Sequence, residues 1–256
     1  MHSFIIGDIV IYKKDDLKQL YVINKINDQR CIISGLNYRI IREVDVIQIE
    51  KASSKFIEKV SNDNKKYRNK IINSLERGNN NFVLGKVLHL DGDEKYLNKC
   101  LELYKELGVY SYGVCLDEEE MYKKILSYMY EVNPDIVVVT GHDFFEGQDK
   151  KDLANYKNTN NFIKVIKEIR KVNQTCCIIA GACQSNFEAL IANGADFASS
   201  PGRINIHVFD PAVIAVKVAS TSFRQLVSVE GIYKYIENGR KAFGCVQTLG
   251  KMKIIL

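Results

Sequence analysis

PDIVVVTGHD, residues 134–143, decides how this chain is read. Asn133-Pro134 stops any preceding helix, because the residue before proline is pushed out of the helical region. Ile136 to Val139 is then wholly β-branched, the composition of a strand covered on both faces, as buried parallel strands are. A glycine ends it and His142-Asp143 follows. A second stretch, TCCIIAGACQS at 175–185, repeats the arrangement: an apolar run, Gly181, then Ala182-Cys183. Between the two, residues 159–172 place Phe162, Ile163, Val165, Ile166 and Ile169 at helical spacing. Strand, helix, strand in that order predicts a parallel pair joined by a crossover helix.

The alternation extends both ways. Upstream, Phe82 to Leu90 and Tyr110 to Cys115 read as strands, with helices over 94–107 and 118–131. Asp91-Gly92-Asp93 is a turn able to cap the first helix, and Gly108 ends it. Downstream come a helix over 185–193, short strands near Phe197 and over Ile204 to Val208, and a helix from Pro211. The expected fold class is α/β, with this parallel sheet over residues 82–256. Residues 1–50 differ. Short strands at Ile5–Tyr12, Leu20–Ile26, Arg30–Ser34, Tyr38–Arg42 and Val46–Glu50 alternate with turns such as Asn27-Asp28 and Ser34-Gly35. They predict a small β-barrel, and Gly7-Asp8-Ile9-Val10 resembles the opening of an SH3-like one. Residues 51–81 read as a surface helix and polar linker, ending in Arg77-Gly78-Asn79-Asn80-Asn81.

Composition narrows the classes. Hydrophobic residues are 46% of the 256, enough for a sizeable core. A net charge of +5, from 36 basic against 31 acidic residues, is too mild to mark a nucleic-acid footprint. The longest apolar runs are strand-sized, short of the roughly 20 residues a membrane helix needs. The first residues lack a basic region followed by a long apolar one, so no secretory leader is expected and a cytoplasmic location is. Seven cysteines without a repeated C-x-x-C pair predict neither a disulfide framework nor a zinc cage. No cofactor and no metal are expected.

Open parallel sheets carry their chemistry beyond the carboxyl ends of their strands. His142 and Cys183 both fall there. A lone cysteine or histidine at a strand end is more often packed core than chemistry. The pair, at the same edge and each after a glycine, points to a thiol nucleophile with an imidazole as proton acceptor and donor. Ser185 or Asn186 is the expected cap of the helix behind Cys183, whose dipole would favour a thiolate. Asp91 and Asp93 lie at the same edge, where helix capping explains them. His207 could orient a neighbour, though a packed histidine is the commoner case. Three other readings stay open: a metal-dependent hydrolase using His142, Asp143 and Cys183 or His207; a non-enzymatic scaffold or binding protein gripping another protein or a nucleic acid through the barrel; and a phosphate-binding α/β barrel suggested by Gly194-Ala195-Asp196 and Ser199-Ser200-Pro201-Gly202.

Five segments carry a family resemblance: FIIGDIV (4–10), VLHLDGDEKYL (87–97), PDIVVVTGHD (134–143), AGACQSNFEALIANGADFASSPGRINIH (180–207) and DPAVIAVKVASTS (210–222). Together they resemble the YabG-type sporulation-specific peptidases of spore-forming Firmicutes. The resemblance implies a cysteine endopeptidase of the mother cell that trims spore coat and cortex-associated proteins near basic residues. It implies His142 and Cys183 as catalytic residues, in an arrangement similar to the caspase and clostripain-like peptidases. Those read His-Gly where this chain has His142-Asp143, and often carry an acidic or polar residue where it has Gly181. The implied oxyanion donors are backbone N–H groups at Gly141, Asp143 and Cys183. For a basic side chain of the substrate, Asp143, Asp196 and Asp210 are the candidate partners.

Overall fold

The computed structural model describes residues 4–15, 19–27, 29–75 and 81–255. They fall into two compact units, Met1–Lys70 and Ile71–Leu256.

The first unit is a five-stranded antiparallel sheet: β1 Ile9–Tyr12, β2 Leu20–Asn27, β3 Arg30–Gly35, β4 Ile41–Asp45 and β5 Ile49–Lys51. Their order is β4-β3-β2-β1-β5. Val10, Tyr21, Ile23, Cys31, Ile33, Val44 and Ile49 bury a core of its own. The last two strands begin about one turn later than the sequence predicts. Gly35 N–H donates to Ile40 O, closing a turn over residues that read as strand. At Asp45 and Gln48 reciprocal side-chain-to-backbone bonds close a capping box over a 3₁₀ turn at Val46–Gln48. Helix α1, Ser54–Leu75, follows. Most of the polar run expected as a linker lies outside the described residues, as does Asp28 of the expected Asn27-Asp28 turn.

The second unit holds the expected α/β alternation. After a short β6, Phe82–Val83, come β7 Val87–Asp91, α2 Glu94–Glu106, β8 Ser111–Cys115, α3 Glu118–Val132, β9 Ile136–Thr140, α4 Thr159–Val172, β10 Cys177–Ala180, α5 Phe187–Ala192 and β11 Phe197–Ser199. Helices α6, Asp210–Ser220, and α7, Val229–Tyr233, precede β12, Phe243–Cys245, and β13, Lys253–Ile254. The main sheet runs β12-β11-β10-β9-β7-β8. Its first five strands in chain order are parallel, and β12 is an antiparallel edge. β13 pairs with β6, bringing the two ends of the unit together.

Strand alternation sorts the faces. Leu88, Leu90, Val137, Val139, Ile178 and Ala180 pack with Met121, Ile125, Phe162 and Ile166 of α3 and α4. Each such fully buried aliphatic side chain contributes roughly 1.5–3 kcal/mol. The opposite face carries α2 and α6. The chain therefore leaves β7 through α2 on one face and β9 through α4 on the other. Between those two strands the winding reverses, and in such sheets a crevice opens there at the carboxyl edge.

One predicted strand is absent. Residues 204–208 form a loop, entered through Ser200 and Arg203 at positive φ around Pro201-Gly202, a geometry that breaks an extended run.

Candidate active site

β9 and β10 lie side by side in parallel, with Val139 opposite Ala180. The ladder continues as Gly181 N–H donates to Val139 O at 3.0 Å. His142 and Cys183 each stand three residues beyond that pair, so both emerge at the same edge of neighbouring strands.

His142 leans toward the β7 side. Its backbone N–H donates to Glu118 Oε1 at 2.7 Å, and its Nδ1 lies 3.6 Å from the same oxygen. Its Nε2 is buried without a hydrogen-bond partner among the described residues, 3.6 Å from Asp93 Oδ2. The Tyr96 ring stacks at a tilt, 5.9 Å between centroids. Asn158 Nδ2 donates to His142 O at 2.7 Å and fixes the backbone. Burial works against ionisation of Glu118, but the His142 ring and backbone N–H and the helix's own first-turn N–H outweigh it. The carboxyl is held below its ordinary value of 4.5.

Asp143 points the other way and is buried. Oδ1 accepts from Phe144 N and Asn158 N, and Oδ2 from Thr159 Oγ1 at 2.5 Å and Ser185 Oγ at 2.8 Å. Burial pushes this carboxyl above its ordinary range despite those donors. Ser185 Oγ also accepts from Ala182 N. One carboxylate thus ties the segment after β9, the start of α4 and the Cys183 turn together.

Cys183 is 1% exposed. Ile206 N–H points at its Sγ from 3.3 Å, supplied by the loop that the sequence reads as a strand. A donor there complements negative charge on sulfur. The turn is built on Gly181 at φ +106° and Gln184 at φ +59°. Helix α5 starts at Phe187 with Asn186, one of the two expected caps, accepting from Ala189 N, so three residues separate Cys183 from the helix. Cys177, in β10, is a core thiol raised far above its ordinary range by burial.

Several backbone donors at this edge are already committed. His142 N serves Glu118, Phe144 N serves Asp143, Ala182 N serves Ser185, and Gln184 N serves Ser200 Oγ and Ile204 O. Below the edge, His89 bridges Tyr104 OH and Thr140 Oγ1 at 3.0 and 3.2 Å, with Asp91 Oδ2 3.6 Å away, all fully buried. His207 is packed in the 204–209 loop, its Nδ1 accepting from Phe209 N.

The remaining acidic candidates sit elsewhere. Asp210 accepts from His207 N at the buried start of α6. Asp196 bonds Arg170 Nη2 and Ile178 N at 2.7 Å each, at the amino end of β10 and away from His142 and Cys183. Among the described residues no group of three or more His, Cys, Asp or Glu side chains is arranged to hold a metal ion. No described helix is long and apolar enough to cross a membrane. Glu118 and Asn158 gave no sign in the sequence; Glu118 stands in a run of acids at a helix start, where dipole complementation explains all of them.

The profile of the YabG peptidase U57 family matches residues 5–256. The chain is also similar to the sporulation-specific protease YabG of Bacillus subtilis (strain 168), 42% identical over 176 residues. That alignment spans 66% of this chain and 60% of the relative. The chain belongs to the YabG peptidase U57 family.

Proposed function

We propose that this chain is a sporulation protease that cleaves peptide bonds through a Cys183 nucleophile and a His142 general base. The observation that carries the reading is the equal offset of the two residues beyond the Val139–Ala180 pair on adjacent parallel strands. The sheet order and its reversal between β7 and β9 support a caspase or clostripain-like fold, and the order of the first sheet supports an SH3-like barrel.

In this mechanism His142 takes the thiol proton as the Cys183 sulfur attacks the scissile carbonyl carbon. A tetrahedral intermediate forms, its oxyanion received by the backbone N–H groups of Cys183, Gly141 and Asp143. His142 then passes its proton to the leaving amine, the C–N bond breaks and a thioester remains on Cys183. Water, deprotonated by His142, attacks the thioester and releases the carboxylate product and the thiol. Cys183 is covered by the 204–209 loop, so substrate entry requires that loop to move. The substrates are spore coat and cortex-associated proteins of the mother cell, cut near basic residues.

Purified wild type, Cys183→Ala, His142→Ala and the exposed-cysteine control Cys115→Ala are compared on a spore-coat protein mixture, with and without chelator. Cleavage by wild type and the control only, indifferent to chelator, is expected. Full cleavage by Cys183→Ala refutes the nucleophile, and loss on chelation refutes the metal-free mechanism.

A further inference from the structure

We propose that Glu118 is the positioning residue of this site: its carboxylate accepts a hydrogen bond from the Nδ1–H of His142 and thereby leaves the Nε2 lone pair for the Cys183 thiol. The proposal rests on the Cys183–His142 reading above and adds a third member to it.

Glu118 is built into place. As the first residue of α3 it belongs to an acidic turn, Glu118-Glu119-Glu120, in which any carboxylate complements the helix N-terminus. Its side chain instead folds back under the strand ends, 15% exposed. Two glycines make the space. A Cβ on Gly92, after β7, or on Gly141, after β9, would fall on the Glu118 carboxylate. Neither glycine has a positive φ, so what they provide is room for this side chain.

The same oxygen, Oε1, accepts the His142 backbone N–H at 2.7 Å and faces Nδ1 at 3.6 Å. A small rotation of the ring closes the second contact into a hydrogen bond, as catalytic contacts commonly tighten on substrate binding. The carboxylate is held ionised, as its lowered pKa requires. Asn158 grips the His142 carbonyl from the other side, so backbone and ring are fixed by different partners. A histidine whose one nitrogen donates to a carboxylate keeps the other as an acceptor. That other nitrogen, Nε2, is buried and makes no hydrogen bond among the described residues.

Asp93 is the competing carboxylate. Its Oδ1 is spent capping α2 through Lys95 N and Tyr96 N, and its Oδ2 lies 3.6 Å from Nε2. The groups facing the imidazole are thus Glu118 from α3, Asp93 at the α2 cap and Tyr96 from α2. Asp91 and Cys115 stand at the neighbouring ends of β7 and β8.

Glu118→Gln separates positioning from architecture, because the amide oxygen still accepts the His142 backbone N–H while the charge is lost. The experiment measures kcat and KM against pH for wild type, Glu118→Gln, Glu118→Asp and Asp93→Asn. It also records histidine ¹⁵N spectra of each substitution in the Cys183→Ala background. Glu118→Gln is expected to lower kcat about 100-fold with KM changed less than about threefold. In it the Nδ1–H proton resonance of His142 moves upfield, because the charge-assisted hydrogen bond to the carboxylate is lost. Glu118→Asp restores part of both. An unchanged His142 Nδ1–H resonance in Glu118→Gln overturns the proposal, as does its change in Asp93→Asn alone. Activity in His142→Ala would instead overturn the dyad reading, and the spectra still decide the Glu118 contact in that case.

Discussion

At Asp143 one carboxylate gathers donors from three segments: Phe144 beside it, Asn158 and Thr159 at the start of α4, and Ser185 after Cys183. Removing it leaves buried donors unpaired. Asp143→Ala is therefore expected to lose about 2–3 kcal/mol of stability, read from urea melts. The pH dependence has a definite sign. Because burial raises the Asp143 pKa in the folded chain, the folded state binds this proton more tightly than the unfolded state, and its contribution falls as pH rises through the raised value. The stability advantage of wild type over Asp143→Asn should accordingly shrink as pH is raised above 3.8 and through the raised folded value. For Glu118 the shift is opposite: its contribution is present above 4.5 and lost as pH falls through the lowered folded value. At this scale the sequence makes His142 and Cys183 legible, because a glycine and a strand end announce each. Asp143 is visible there only as a neighbour of His142, and the partners that engage it lie up to 42 residues away. Glu118 is not legible: its partner lies 24 residues away, and local rules already account for a glutamate at a helix start.

Among the elements, the Cys183 turn depends most on backbone geometry. Gly181 has φ +106°, and a Cβ there would press on Ser199 Oγ and Leu190 Cδ1. Gly181→Ala is expected to cost about 1–3 kcal/mol of backbone strain and to lower kcat more than KM, since the sulfur shifts with the turn. Unchanged melting and kinetics would contradict that. From β7 to α6 most strands and helices follow the sequence reading because β-branched runs and amphipathic spacing are local properties, whereas Phe82 to Leu90, read as one strand, is split into β6 and β7 around Gly85. The loop over 204–208 does not follow that reading either. Its apolar residues, Ile206 and Val208, are buried, which satisfies an alternating pattern without a strand partner. The edge strand β12 was likewise invisible, for Phe243-Gly244-Cys245 is only three residues long with a glycine at its centre.

For the whole molecule, each unit buries its own core, and all the residues of the candidate site lie within Ile71–Leu256. The β6–β13 pair ties the two ends of that unit. Deleting residues 1–70 is expected to leave hydrolysis of a short peptide substrate within about threefold of the full chain, because no group assigned to the chemistry is removed. A folded fragment without activity would contradict this. The family was legible from long matching segments, most of all residues 180–207, whereas the mechanism rests on where two strand ends meet.

The most direct test of that mechanism is covalent capture. The full chain is treated with a peptidyl chloromethyl ketone ending in arginine, digested and mapped by mass spectrometry. The account predicts a single adduct on Cys183, formed in step with loss of activity and abolished in His142→Ala. Labelling of the exposed Cys115 in its place, or complete inactivation with Cys183 unmodified, would contradict it.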